Sequence, residues 1–182
     1  VVLRRRDRVS LAKIVDANAS FSRAKKQSAS NKAYIGHEMT MDRDKVIGVL
    51  NEILEIELAG VVRYTHYSLM IFGHARIPIT KWFREVAAES QQHAIDAGEY
   101  VTSLGGHPSL QIGPLLETQK HDIDAILEES IQHEKIGVRK YRELLALVED
   151  EDVRLEEYAR SMIMDEENHL CEIEKMLRRP GE

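Results

Sequence analysis

A single cysteine, Cys171, stands in a chain of 182 residues. A disulfide framework is therefore excluded. No apolar run approaches the roughly 18 residues needed to cross a bilayer; Leu69–Phe72 is among the longest such stretches. Prolines number four, glycines ten, and aromatic residues reach only 5%, so strand-rich folds with frequent turns are disfavoured. What remains is rich in Leu, Ile, Ala, Glu and Lys, the good helix formers. Hydrophobic residues at 43% and charged residues at 31% describe a folded domain rather than a disordered chain. The length corresponds to about one domain. No membrane association is expected, and the expected location is cytoplasmic.

Charge divides the chain. Residues 1–38 carry nine Lys and Arg against three acids, whereas the remaining residues carry 16 basic and 28 acidic side chains. The expected organisation is a basic N-terminal arm, 1–38, followed by one acidic bundle, 39–182. An Arg- and Ser-rich segment with few acids also has the composition of a transit peptide. Lysines and arginines in the arm could touch phosphates, but no aromatic or motif context accompanies them. Nucleic acid is not the favoured partner. The acidic body suits cations instead.

Apolar residues recur with a helical period in four segments. The first starts near Thr40 and ends near Gly73, with a stripe of Val46, Leu50, Ile53, Glu57, Val61 and Tyr64. The second starts near Thr80, after Pro78, and runs through Trp82, Val86, Glu89 or Ser90, His93, Ala97, Tyr100 and Leu104 to Gly105-Gly106. The third begins near Thr118 and carries Ile123, Leu127, Ile131, Glu134, Val138, Tyr141 and Leu145. The fourth opens among Asp150, Glu151 and Asp152, where acids suit a helix N-terminus, and continues through Leu155, Ala159, Met162, Glu166, His169, Ile173 and Met176. The first and third connections are short and join antiparallel neighbours. The second, from Gly105 to Glu117, can span roughly 43 Å when extended, enough to cross the length of a helix of about 39 Å. The expected fold is all-α: a four-helix bundle with one long crossover between helices two and three.

The residues that break the apolar stripes carry the chemistry. A glutamate interrupts each helix near its middle: Glu57, Glu89, Glu134 and Glu166. His93 and His169 follow the second and fourth. Four carboxylates at similar depth repel one another unless a cation holds them. Carboxylate oxygens with imidazole nitrogens form a ligand set for non-haem iron or manganese. Glu57 and Glu89 are 32 residues apart, as are Glu134 and Glu166, so the chain reads as two hairpins, each supplying one bare Glu and one Glu with a His. Glu166-Glu167-Asn168-His169 is a Glu-x-x-His motif, whose ends share a helix face, as in di-iron and di-manganese bundles. Glu89 to His93 is one residue longer. His66, His74, His107, His121 and His133 lack such partners and are expected on the surface or in loops. Tyr100 and Tyr141 are expected as core aromatics, and Cys171 as incidental.

The stretches 50–58, His93-Ala94 with 104–110, and Asp165-Glu166-Glu167-Asn168-His169 resemble the bacterioferritin and wider ferritin-like family, over roughly residues 43–177. The resemblance implies a ferritin-like bundle in which Glu57, His93, Glu134, Glu166 and His169 fall on di-iron ligands. Ser90 occupies the family position of the helix-two glutamate, with Glu89 as its substitute. Tyr64 falls beside the irons, as a radical or hydrogen-bond partner with a catalytic role. The family's haem-ligating Met falls at Gln91, so haem is not expected. The short fifth helix of the family is not expected either, which leaves a dimer or a smaller cage as the homo-oligomer. The implied activity is that of a ferroxidase holding two iron ions, with manganese as the alternative metal. It would oxidise Fe(II) with dioxygen or peroxide for iron storage or detoxification. Alternatives are another di-iron or di-manganese oxidoreductase, of peroxidase, oxygenase or catalase type, and a DNA-associated miniferritin-like assembly.

Overall fold

Residues 41–116, 118–179 and 181 are described by a computed structural model; the basic arm of residues 1–38 lies outside them. Among the described residues four α-helices follow one another: α1 Arg43–Met70, α2 Arg76–Ser103, α3 Ile123–Val148 and α4 Val153–Leu177. No strand occurs among the described residues. No helix among the described residues is long and apolar enough to cross a membrane.

Three helices begin at aspartates: Asp152 is among the residues expected for the fourth, while Asp42 and Asp122 stand beyond the Thr40 and Thr118 expected for the first and third. Asp42 accepts from the Lys45 amide, Asp122 from the Ala125 amide, and Asp152 from the amides of Arg154 and Leu155. Each satisfies first-turn donors that have no partner within the helix. The expected third start, Thr118, is not a cap: its amide donates to Glu129 Oε1 at 3.0 Å, holding the chain in the connection. Helix α2 starts before Pro78 instead of after it. Proline is tolerated there because the N–H it lacks has no acceptor in a first turn. The α1–α2 and α3–α4 connections are short, so the chain folds as two antiparallel hairpins.

The connection between the hairpins, residues 104–122, runs along α1 and is pinned to it. Asn51 donates to His107 O at 3.2 Å and accepts from the Ser109 amide at 2.7 Å. Gly113 donates its amide to Glu55 O at 2.8 Å, and Arg63 Nη1 donates to Leu116 O at 2.7 Å. Glycine is required at 113 because a Cβ there would lie 3.0 Å from Glu55 O and 3.2 Å from the Ile56 Cα, atoms of a helix backbone that cannot step aside.

The buried apolar residues form two clusters. One contains Leu50, Ile53, Ala97, Val101, Tyr141, Leu144, Leu155 and Ala159. The other contains Tyr64, Tyr67, Phe83, Val86, Ile126, Leu127 and Ile173. Between them, on every helix, lies a polar stretch: Glu57 on α1, Ser90 and His93 on α2, His133 and Glu134 on α3, Glu166 and His169 on α4. Apolar burial at both ends supplies the driving force for folding. The interruption recurs at one level on all four helices, and that level is the site; a separate buried polar group, Arg63 with Glu129, lies beside the second cluster.

Candidate metal centre

Glu57, Glu134 and Glu166 are buried, at 4%, 3% and 5% exposure, and their helices bring them to one depth. Two groups of potential ligand atoms converge there: Glu57, His93 and Glu166 in one, Glu134, Glu166 and His169 in the other, with the atoms of each group within 4.8 Å of one another. Glu166 belongs to both. Its Oε1 lies 3.3 Å from His93 Nδ1 and its Oε2 lies 3.7 Å from His169 Nδ1. His93 Nδ1 is also 3.7 Å from Glu57 Oε1, and His169 Nδ1 is 3.8 Å from Glu134 Oε2. Of the residues expected in the site, five therefore face one another.

Glu89, the sixth, is in neither group. Its side chain is half exposed, and its Oε2 contacts His169 Nε2 at 2.9 Å, on the outer side of the ring. The inward position on α2 belongs to Ser90, which is buried at 6% exposure. Phe83, Val86, Ala87, Ser90, Ala94, Ala97 and Val101 are the buried residues of that face, and Glu89 lies one step round the helix from it.

Each terminal carboxylate receives a tyrosine from the opposite hairpin. Tyr141 donates to Glu57 Oε1 at 2.7 Å, and Tyr64 donates to Glu134 Oε1. Both tyrosines are fully buried. Tyr64, expected beside the irons, touches the candidate ligand Glu134. Tyr141, expected only as a core aromatic, is its counterpart. The signal was present in the sequence: Glu57 to Tyr64 and Glu134 to Tyr141 are both seven residues, two helical turns.

His133 corrects the expectation of a surface residue. It is buried at 6% exposure, packs edge-on against Tyr64 with ring centroids 5.7 Å apart, and places Nε2 3.0 Å from the position a Cβ on Gly60 would take. Burial, reinforced by the Arg63 guanidinium, lowers its pKa to about 4, so the ring is neutral. Gly60 admits both Ser90 and His133; a Cβ there would meet Ser90 Oγ at 2.8 Å. His66 and His121 are half-buried, while His74, His107 and Cys171 are exposed, as is Gln91. Met176, expected in the α4 stripe, is exposed at 36%, while its neighbour Leu177 packs against the second cluster.

The electrostatics describe a site that needs compensation. Burial, with Glu166 beside it, raises the Glu57 carboxyl to about 7. The same two causes raise Glu134 well above the usual range. Burial opposes ionisation of Glu166 too, but hydrogen bonds with Glu134, His169 and His93 outweigh it and hold that carboxyl far below its ordinary value. Burial disfavours charge on the imidazoles. The carboxylates nevertheless win, raising His93 to about 10 and His169 to about 11. Protons thus neutralise the metal-free cluster, which titrates as a unit. Hard oxygen donors with two imidazole nitrogens suit iron or manganese, and two divalent ions would replace those protons as counter-charge. The residues present fit such a pair.

Comparison with known proteins agrees with this geometry. The chain resembles the ferritin-like, di-iron-carboxylate protein of Bacillus anthracis strain Ames, with 26% identity and a TM-score of 0.72, over 77% of this chain and 100% of that one. The bacterioferritin of Rhodobacter capsulatus is 26% identical with a TM-score of 0.66, over 74% of this chain and 84% of that one. The dodecameric thioferritin of Bacteroides fragilis shares the fold at 21% identity and a TM-score of 0.71, over 75% of this chain and 86% of that one. No curated protein matches the sequence. The family model described as the ferritin-like domain matches residues 47–180, most of the chain. A buried Glu and His layer inside a two-hairpin bundle, with that match across it, shows that the chain belongs to the ferritin-like domain family.

Proposed function

We propose that the protein is a ferroxidase that takes two Fe(II) ions as substrate and passes their electrons to dioxygen or peroxide, in iron storage or detoxification. The observation that carries this reading is Glu166, a single buried carboxylate shared by two convergent Glu and His groups. One position would use Glu57, His93 and Glu166, the other Glu134, His169 and Glu166. Bound iron supplies the redox chemistry, each Fe(II) giving up one electron. Anionic oxygen ligands favour the ferric state and so make that transfer easier. Tyr64 donates to Glu134 Oε1 and leaves Oε2, the oxygen that faces His169, for the ion; Tyr141 donates to Glu57 Oε1, the oxygen that also faces His93, and so orients that carboxylate. Neutral His133 fills the space behind Ser90 without adding a charge.

An opening lined by Glu89, His93, Asp165, Asn168 and His169 leads to the site. Its lining is polar and acidic, which suits entry of cations and small oxidants rather than an organic substrate. That favours iron oxidation over an oxygenase. Apolar side chains on the outer face, including Val62 at 41%, Leu115 at 51% and Leu110 at 94% exposure, support assembly into a homo-oligomer. The related proteins include a dodecamer.

Anaerobic Fe(II) titration of the metal-free protein, followed by oxygen and repeated iron additions, tests the reading. Saturation at two ions per chain, then continued oxidation and retention of further iron, is the expected result. Saturation at two with no later uptake would point to a fixed di-metal oxidoreductase, and absence of binding would overturn the metal site.

A further inference from the structure

We propose that Glu89 is a positioning residue: its carboxylate accepts a hydrogen bond from His169 Nε2–H and so fixes the imidazole with Nδ1 turned towards the second metal position. The inference rests on the metal-site reading above and deepens it.

The geometry is one-sided. Glu89 Oε2 lies 2.9 Å from His169 Nε2, while Nδ1 of the same ring faces Glu134 and Glu166 at 3.8 and 3.7 Å. A neutral imidazole has one donor and one acceptor nitrogen. If Nε2–H is given to Glu89, the lone pair on Nδ1 is free for a cation, and the ring cannot rotate without breaking the outer bond. The contact also crosses between hairpins, from α2 to α4. Ser90, not Glu89, takes the inward place on α2, so the Glu89 side chain is displaced by one helical step to the outer side of His169. A carboxylate that had to reach past the ring could not share the ions as Glu166 does.

The other half of the site is built differently. Both ion-pair contacts of the His93 ring are made through Nδ1, to Glu57 and Glu166. Among the described residues no carboxylate holds its outer nitrogen. Loss of Glu89 should therefore affect one metal position and spare the other, which separates a positioning role from a general effect on charge.

The test is anaerobic Co(II) titration of the metal-free protein, read by visible absorption, on wild type, Glu89→Ala and Glu89→Gln. The side chain is half exposed, so both variants are expected to fold, and circular dichroism checks this. Wild type is expected to bind two Co(II) ions per chain. In Glu89→Ala one of the two binding events should weaken by roughly 10- to 100-fold, the range seen for loss of an outer partner of a metal-bound histidine, with the other unchanged. Glu89→Gln keeps an oxygen that accepts from Nε2–H and should restore both events. In the zinc-loaded protein, nitrogen NMR of labelled histidine should show His169 as the Nε2–H tautomer in wild type and Glu89→Gln, with that proton exchanging faster in Glu89→Ala. Equal weakening in Glu89→Gln and Glu89→Ala would make Glu89 a ligand and overturn the proposal. Two unchanged events in Glu89→Ala would overturn it as well. If wild type binds no Co(II), the metal-site reading itself falls, an outcome distinct from either of these.

Discussion

Replacing Glu166 by glutamine removes the one side chain common to both candidate ligand groups, and on the proposed reading the loss should exceed that from any other single carboxylate. At a free metal concentration about 100 times Kd, each occupied site stabilises the fold by roughly 2.7 kcal/mol. Two sites together contribute about 5 kcal/mol. In a domain of this size each kcal/mol moves Tm by roughly 2–4 °C, so the loaded wild type should melt about 10–20 °C above the metal-free protein. Glu57→Gln leaves Glu134, Glu166 and His169 intact and should keep about half of that shift. Glu166→Gln takes one of three ligands from each group and should keep little of it. The assay is thermal denaturation under nitrogen at pH 7, with Co(II) and with Fe(II) at concentrations fixed from the wild-type affinity. Removal of the Glu166 charge relieves the repulsion that helps raise Glu57 and Glu134 but also takes a partner from His93 and His169, so circular dichroism checks that the metal-free variant is folded. A Glu166→Gln shift as large as that of Glu57→Gln would refute the shared-ligand reasoning. So would a Glu57→Gln variant with no shift at all.

Four further outcomes follow from the same structure. Gly48→Ala, where a Cβ meets nothing within 4 Å, should stabilise by up to about 1 kcal/mol through helix propensity. Gly113→Ala, which drives a Cβ into the α1 backbone, should destabilise by about 1–3 kcal/mol; urea denaturation distinguishes the signs. Burial opposes ionisation of Glu129, but hydrogen bonds from Thr118 and Tyr67 and the charge of Arg63 outweigh it and lower its pKa. A folded pKa below the unfolded one gives stability that is present above the ordinary value of 4.5 and is lost as pH falls through the folded value. The stability gap between wild type and Glu129→Gln should accordingly be widest above that pH and close on acidification. Tyr64→Phe and Tyr141→Phe should each destabilise the metal-free protein by roughly 1–3 kcal/mol, since each strips a buried carboxyl oxygen of its donor; similar losses in both variants would verify the symmetry of the site.

The helices and their order were legible because the departures from the apolar stripe fall at one depth in all four segments. Their ends were less so. Pro78 reads as a boundary because proline breaks helix interiors, yet its place in the first turn of α2 costs no hydrogen bond. Thr118 reads as a cap, but its amide is engaged by Glu129, and Asp122 caps α3. Within the site, Glu89 and Ser90 both lie within a turn of His93, and spacing alone does not choose between them. The buried series Phe83, Val86, Ala87, Ser90, Ala94, Ala97 does choose, and it was present in the sequence. His133 was illegible by itself, because what makes room for it is a feature of another helix: Gly60, where a Cβ would approach the ring Nε2 to 3.0 Å.

The hairpins are alike in spacing but not in what they place inside. Glu57 and Glu134 are 77 residues apart, as are Tyr64 and Tyr141, and as are Glu89 and Glu166. Only the last pair loses its equivalence in three dimensions, because His169 follows Glu166 by three residues and His93 follows Glu89 by four. At three residues Glu166 is drawn into the layer with its histidine; at four, Ser90 takes the inward place and Glu89 is left outside. A second buried carboxylate beside Glu166 would add to the repulsion that already raises Glu57 and Glu134, and the serine avoids it. On the proposed reading the site then has one shared anionic ligand instead of two, and the carboxylate left outside serves the histidine of the other hairpin. The two metal positions are therefore chemically unequal, and the inequality traces to a single residue of helical register in α2.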